Sequence, residues 1–223
     1  MNEHQQAEYS IGNFGLMMIG VGLVAIISML FWFSASQEEK SINPATITIL
    51  GEPRSVPSFT LTDHRSNPFT KENLQGQWTF LYFGYTTCPE VCPTTLGALA
   101  QADRILREES FAIHPKFVFI SVDPGRDTQE QLAHYVPYFS PNFLGVTGSE
   151  EEILALSRPL GVVYRRSEQG DSEGSYLIDH TASVLLVDPK GNTVAVISPP
   201  HDAQSIVDDF RKIVDDKGAS FIQ

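Results

Sequence analysis

One stretch of the sequence decides the fold. An apolar run, Gln77-Trp78-Thr79-Phe80-Leu81-Tyr82-Phe83-Gly84, leads directly into Tyr85-Thr86-Thr87-Cys88-Pro89-Glu90-Val91-Cys92-Pro93. A nearly continuous apolar run of this length predicts a buried central strand. Pro89 and Pro93 are tolerated only at or before the first turn of a helix, so a helix begins within this segment. Cys88 is therefore expected where backbone N–H groups and the helix dipole stabilise a thiolate.

The two cysteines of this stretch are the only ones in the chain. Residues four apart on a helix have Cβ atoms about 5–6 Å apart, and a disulfide needs Cα atoms about 4.4–6.8 Å apart. The spacing of Cys88 and Cys92 therefore permits both a reversible disulfide and a two-sulfur metal chelate, and it does not distinguish them. Thiolates prefer Cu(I), zinc or iron–sulfur clusters. Two cysteines are too few for a cluster or a four-ligand zinc site, whereas copper needs only one imidazole in addition.

The imidazole would come from one of six histidines. These are His4, His64, His114, His134, His180 and His201. A single histidine is more often a surface or core residue than a ligand, so the local sequence does not select one. His180 is somewhat favoured because it follows Asp179 at the head of an apolar strand, residues 181–187.

Composition limits the class of protein. The chain has 223 residues, 42% of them hydrophobic, which suits one globular domain with an appendage. The net charge of -12 and the pI near 4.8 argue against a nucleic-acid partner, which requires a basic face. Two cysteines are also too few for a disulfide-rich scaffold.

The appendage is an uncharged N-terminal segment. Residues 11–33 contain no charged side chain and are long enough to cross a hydrocarbon core of about 30 Å as a helix. The preceding residues include Glu3 and Glu8 but no Lys or Arg, which is unlike a signal peptide. The predicted organisation is a tail at 1–10, a transmembrane anchor at 11–33, a linker at 34–51 and a folded domain at 52–223.

The folded domain reads as strands and helices in alternation, followed by an antiparallel end. This order predicts an α/β fold with a mixed sheet flanked by helices. The predicted elements after the cysteine helix are a strand at 116–123, a helix from Asp127 or Thr128 to 138, a strand at 142–146, a helix after Ser149 with Glu152 completing a capping box, hairpins at 161–179 and 183–197, and a final helix to 214.

Three segments resemble those of the Sco/SenC family. They are Phe83-Gly84-Tyr85-Thr86-Thr87-Cys88-Pro89-Glu90-Val91-Cys92-Pro93, its CxxxC loop; Ser121-Val122-Asp123-Pro124-Gly125-Arg126-Asp127-Thr128, its SVDPxRDT segment; and Tyr176-Leu177-Ile178-Asp179-His180-Thr181-Ala182-Ser183, its DHT/S strand. The likeness covers about residues 52–215. The sequence departs from many members at Thr87, where they have histidine, but that position is not a family ligand.

The resemblance implies a thioredoxin-like fold and a metallochaperone, rather than an enzyme, that delivers copper to cytochrome c oxidase. The family's copper ligands fall on Cys88, Cys92 and His180, and Asp123 matches an acidic position beside the site. Cu(I) is the expected ion, with Cu(II) as a second one. The implied partner is the copper-site subunit of the oxidase or another copper chaperone.

The expected location is the cytoplasmic membrane of a bacterium. Residues 11–33 would cross it once and hold the domain on the periplasmic side, where an oxidising environment suits a dithiol that cycles through a disulfide. We also expect the polar loop at 167–175 to let His180 approach or leave the sulfurs.

Other functions use the same two cysteines. A thiol–disulfide oxidoreductase that reduces the cysteines of a copper-accepting partner is the main alternative, with Cys88 and Cys92 as its redox pair. A peroxidase would need supporting groups around Cys88 that the sequence does not identify. A structural disulfide would leave the matching positions of His180 and Asp123 unexplained.

Overall fold

The computed structural model describes residues 22, 25–29, 47–109, 111–167 and 176–218. The chain divides into two compact units, Met1–Pro44 and Ala45–Gln223. In the first unit the described residues are helical. Nowhere in the described part of the chain is there a helix with the length and apolar character needed to cross a membrane. Most of the predicted anchor at 11–33 lies outside the described residues.

The second unit alternates strands and helices along most of its described length. The strands are β1 (Ile47–Ser55), β2 (Thr60–Asp63), β3 (Pro68–Thr70), β4 (Thr79–Gly84), β5 (Lys116–Ser121), β6 (Leu144–Thr147), β7 (Tyr164–Ser167), β8 (Leu177–His180), β9 (Val184–Val187) and β10 (Asn192–Ile197). The helices are α1 (Val91–Glu108), α2 (Gln129–Phe139), α3 (Glu150–Ser157) and α4 (Ala203–Gly218), with a 3-10 turn at Lys71–Leu74.

Eight strands form one mixed sheet in the order β1-β10-β9-β4-β5-β6-β2-β3. The pairs β4–β5 and β5–β6 are parallel, and the other pairs are antiparallel. Strands β7 and β8 pair only with each other, as a separate two-stranded sheet. The predicted mixed sheet with helices is therefore confirmed, and so are the two hairpins.

The central strand is the one predicted from the apolar run. All six residues of β4 are buried, between β5 on one side and β9 on the other. Phe80 of this strand stacks on Phe117 with ring centroids 5.0 Å apart, and Phe210 of α4 packs 5.4 Å from Phe80. Fully burying a phenylalanine stabilises a fold by about 1.5–3 kcal/mol. This aromatic cluster thus holds α4 against the strand that leads to the cysteines.

Some local features differ from the sequence-based expectation. β1 begins at Ile47, within the stretch predicted to be a linker, and it is an edge strand that is largely exposed and paired only with β10. Its first residues, Ile47-Thr48-Ile49-Leu50, are rich in β-branched side chains, a strand signal that the predicted linker did not use. Ser149 accepts a hydrogen bond from the Glu152 backbone as predicted, but the Glu152 carboxylate accepts from the Thr60 N–H at 2.9 Å instead of closing a capping box.

Gly84, the last residue of β4, allows a close approach of two side chains. A Cβ atom there would lie 2.8 Å from Cys92 Sγ and 2.8 Å from the Phe119 ring, both closer than real contacts permit. The absence of a side chain therefore lets the Cys92 sulfur sit against the end of the central strand. Gly97, within α1, differs because a Cβ atom there meets no other atom within 4 Å.

We predict that Gly84→Ala destabilises the folded protein by about 1–3 kcal/mol, because the new methyl group must displace Cys92 Sγ or the Phe119 ring. The free energy of unfolding from urea titration measures this. Gly97→Ala is the matched control, and it should stabilise by about 0.5–1 kcal/mol because alanine is the better helix former. Equal effects of the two substitutions would contradict the close packing at Gly84.

Candidate metal centre

The structure brings together the three residues predicted as ligands. The ligand atoms of Cys88, Cys92 and His180 all lie within 4.8 Å of one another. Cys92 Sγ is 3.4 Å from His180 Nε2. Metal–sulfur and metal–nitrogen bonds are about 2.0–2.3 Å long, so the three atoms can hold one small ion with little movement. Among the described residues, these are the His, Cys, Asp or Glu side chains that lie close enough, three together, to hold one metal ion.

The Cys88 sulfur caps the helix that carries Cys92. The N-cap residue of α1, Glu90, makes no side-chain capping bond. Instead, Cys88 Sγ accepts a hydrogen bond from the Cys92 N–H at 3.4 Å. An anion at a helix N-terminus is stabilised by the helix dipole and by the unpaired N–H groups of the first turn. The expected stabilisation of Cys88 by the start of the helix is thus confirmed.

The pKa values of the two thiols are shifted in opposite directions. The Cys92 thiol donates a hydrogen bond to the Cys88 sulfur. This bond, despite partial burial, lowers the pKa of Cys88 to about 4. The same bond and deep burial raise the pKa of Cys92 well above its ordinary value. At neutral pH the half-buried Cys88 is therefore a thiolate, and the buried Cys92 keeps its proton.

A backbone carbonyl orients the His180 ring. His180 Nδ1 lies 3.2 Å from the carbonyl oxygen of Thr181, and because a carbonyl only accepts, Nδ1 carries the hydrogen in this contact. Nε2 therefore faces the sulfurs, and an imidazole held in this orientation binds a metal through Nε2. Edge contacts with the rings of Tyr82 and Tyr85, 6.2 and 5.9 Å between centroids, hold the imidazole in place.

Asp127 ties the cysteine loop to the neighbouring strand. Its carboxylate accepts from the Thr86 N–H at 2.9 Å, the Thr86 hydroxyl at 2.6 Å and the Ser121 hydroxyl at 2.6 Å. Burial raises the pKa of Asp127, and the hydrogen bonds from Ser121 and Thr86 oppose that rise. The helix cap that the sequence left open between Asp127 and Thr128 is Thr128, whose hydroxyl accepts from the Gln131 N–H.

Asp123 lies fully buried beside the hairpin that carries His180. Its carboxylate pairs with Arg126 and accepts from the Tyr176 hydroxyl at 2.6 Å. The Tyr85 hydroxyl accepts from the Ile178 N–H at 3.3 Å on the same hairpin. Asp123 therefore supports the strand that leads to His180 through Arg126 and Tyr176.

Sequence reasoning assigned no role to Thr86, Tyr85, Arg126 or Tyr176. The available signal was topological: the carboxyl ends of neighbouring parallel strands meet at one edge, so polar residues following β4 and β5 must approach each other. Which of these residues bond to each other depends on the directions of their side chains, and a local sequence pattern does not specify those directions.

The remaining histidines serve elsewhere in the described part of the chain. His64 Nδ1 accepts from the Gly145 N–H at 3.0 Å, and His201 Nδ1 contacts the Thr95 hydroxyl at 3.1 Å. His114 is exposed before β5, and His134 is exposed on α2. His4 lies outside the described residues. The structure thus selects His180 by position, which the local sequence did not.

A dithiol at the start of a helix, at the carboxyl edge of a mixed α/β sheet, defines this molecule as a thioredoxin-like protein. Residues 47–215 match the family model SCO1/SenC, and the chain belongs to the SCO1/SenC family. The predicted resemblance is thereby confirmed.

Several relatives support this membership. The chain is 42% identical over 151 residues to the mitochondrial SCO1 homolog 1 of Arabidopsis thaliana, a match that covers 67% of this chain and 44% of that protein. The crystal structure of Arabidopsis thaliana ScoI with copper bound has 39% identity and a TM-score of 0.66, covering 72% of this chain and 98% of that one. Yeast Sco1 with copper bound has 31% identity and a TM-score of 0.67, covering 73% and 90%.

We predict that alkylation of Cys88 stays fast far below the pKa of about 8.5 of an ordinary thiol. The rate with iodoacetamide should fall only as the pH passes through about 4. Because the folded pKa lies below the unfolded one, ionisation of Cys88 stabilises the fold fully above about pH 8.5, and that stabilisation is lost as the pH falls through the folded pKa.

Cys92→Ala tests the cause of this shift. The variant removes the thiol that donates to Cys88, so the midpoint of its rate profile should move to higher pH while the Cys92 N–H contact remains. A wild-type midpoint near that of an ordinary thiol, or an unchanged midpoint in the variant, would show that the shared proton does not control Cys88.

Proposed function

We propose that this protein binds copper through Cys88, Cys92 and His180 and delivers it during the assembly of cytochrome c oxidase. The observation that carries the proposal is the approach of two sulfurs and one imidazole nitrogen to within 4.8 Å of one another. Soft thiolates favour Cu(I), and imidazole is also a good copper ligand. The copper-bound structures of the Arabidopsis and yeast relatives support the choice of metal.

The ionisation states of the site suit binding and release. The Cys88 thiolate and the Nε2 lone pair of His180 are ready to coordinate, and Cys92 must lose its proton when the ion arrives, so binding releases a proton. A site with three protein ligands leaves one side open for a ligand of the acceptor. Copper can then pass by stepwise exchange of ligands to the copper-site subunit of the oxidase or to another copper chaperone.

A thiol–disulfide oxidoreductase is the second candidate, and the asymmetry of the two thiols favours it. A low-pKa thiolate attacks a partner's disulfide, and a neighbouring thiol then resolves the mixed disulfide. Cys88 is half-buried and reachable, whereas Cys92 is buried four residues further on. Formation of the Cys88–Cys92 disulfide would remove both sulfur ligands, so the two activities would exclude each other in time.

Membrane attachment completes the proposal. Residues 11–33 are proposed to cross the cytoplasmic membrane of a bacterium once, with residues 52–223 on the periplasmic side. The uncharged, apolar composition of residues 11–33 supports this placement.

Copper stoichiometry tests the binding site. We expect the full chain, reduced and anaerobic, to hold one tightly bound Cu(I), and we expect His180→Ala to weaken its affinity by more than about tenfold because one of three ligands is lost. Competition with a chromophoric Cu(I) chelator measures both values. His134→Ala, at an exposed histidine on α2, is the matched control and should bind like the wild type.

The outcomes separate the two candidates. Equal Cu(I) affinity in the wild type and His180→Ala would contradict the three-ligand site. If neither chain binds Cu(I) tightly while both thiols react, the oxidoreductase becomes the better description, and reduction of a model disulfide should then survive His180→Ala but not Cys88→Ala.

Topology is tested with a reporter fused after residue 223. Alkaline phosphatase needs disulfides that form outside the cytoplasm, so the fusion should be active, and deletion of residues 11–33 should abolish that activity. Activity of a cytoplasmic reporter such as β-galactosidase at the same position would reverse the proposed orientation.

A further inference from the structure

The β7–β8 hairpin carries His180. This hairpin is not part of the eight-stranded sheet, and His180 is the last residue of β8. Bonds between Val163 and Thr181 close the base of the hairpin, and contacts with the segments that follow β4 and β5 hold it against the rest of the domain.

One tyrosine on the hairpin makes several of these contacts. The backbone carbonyl of Tyr176 accepts from Arg126 Nη1 at 3.0 Å, and its hydroxyl donates to Asp123 Oδ1 at 2.6 Å. Arg126 also pairs with Asp123 through Nε. The three residues form a closed triangle of polar contacts that joins the hairpin to the segment after β5.

The ring of Tyr176 adds a second kind of contact. The guanidinium carbon of Arg126 lies 3.7 Å from its centroid, and that of Arg166 lies 4.8 Å away. Arg126 is only 28% exposed, and Asp123 is fully buried. In the described part of the chain, Arg126 Nη2 is buried and has no hydrogen-bond partner. Cation–π attraction is stronger where water is excluded. The Tyr176 ring therefore stabilises the Arg126 guanidinium at this position.

We propose that Arg126 and Tyr176 form a latch that holds the β7–β8 hairpin closed and thereby positions His180 for the metal. They are positioning residues, since neither is a ligand in the proposed site. The consequence for metal binding rests on the proposed function, whereas the closure of the hairpin does not. If opening the latch leaves about one molecule in ten with the hairpin docked, the apparent affinity for the ion falls about tenfold.

Two substitutions open the latch while Asp123 keeps a cationic partner. Tyr176→Leu removes the ring and hydroxyl but retains the Arg126–Asp123 pair. Arg126→Lys keeps a cation beside Asp123 but loses the planar stacking and the bond to the Tyr176 carbonyl. Tyr138→Leu, at a tyrosine that is 85% exposed, and Arg165→Lys, at an exposed arginine on β7, are the matched controls.

The experiment measures two quantities on the full chain, reduced and anaerobic. The first is amide hydrogen exchange without metal, compared between the hairpin and strands β4 and β5. The second is Cu(I) affinity by chelator competition. We expect about tenfold faster exchange at the hairpin amides, including Ile178, in both latch variants, with β4 and β5 unchanged because local opening leaves the main sheet intact. Cu(I) affinity should fall about tenfold, and both controls should match the wild type.

The possible results distinguish a failure of the latch from a failure of the proposed copper binding. Unchanged hairpin exchange in both variants overturns the latch, whatever the copper result. Faster exchange throughout β4 and β5 also overturns it, because the residues would then support the whole fold. Faster hairpin exchange with unaltered Cu(I) affinity overturns the positioning of His180. If the wild type binds no Cu(I), the proposed function fails, and the exchange data alone decide the latch.

Discussion

The parallel pairing of β4 with β5 is the constraint on which the site depends. It sets Gly84 beside Ser121, and the Val122 N–H continues the ladder by donating to the Gly84 carbonyl at 2.8 Å. Because parallel strands end at the same edge, the cysteine loop and the segment after β5 emerge side by side. The bonds of Asp127 to the cysteine loop and of Asp123 and Arg126 to the hairpin of His180 follow from this register.

Two buried carboxylates at that edge of the sheet stabilise different segments of the site. Asp127 accepts hydrogen bonds from Thr86 and thereby ties down the cysteine loop. Asp123 instead engages Arg126 and Tyr176 and ties down the hairpin. Burying a carboxylate is costly unless it is paired or well hydrogen-bonded, and each of these has several donors. Their burial is therefore compatible with the fold and gives the site a rigid base.

Much of the architecture could be predicted because its signals are local. The apolar run of β4 and the Thr128 cap of α2 each follow from neighbouring residues, and both are present. The start of β1 at Ile47 was not predicted, although Ile47-Thr48-Ile49-Leu50 is rich in β-branched residues, because its pairing with β10 is a tertiary contact. The Glu152 carboxylate was assigned to its own helix, whereas the backbone of Thr60, distant in sequence, competes for it.

The sequence by itself determined the chemistry available to this protein: two cysteines, four apart, at a junction of strand and helix. That conclusion needs only the reach of neighbouring residues and the restrictions that proline places on a helix. Local pattern alone left the histidine open, the resemblance to the Sco/SenC segments indicated His180, and only the tertiary structure brings that residue to the sulfurs. His180 is 88 residues from Cys92, and it reaches the sulfur because the β7–β8 hairpin packs on Tyr85 and Arg126. Such packing depends on the whole fold, and no local pattern encodes it.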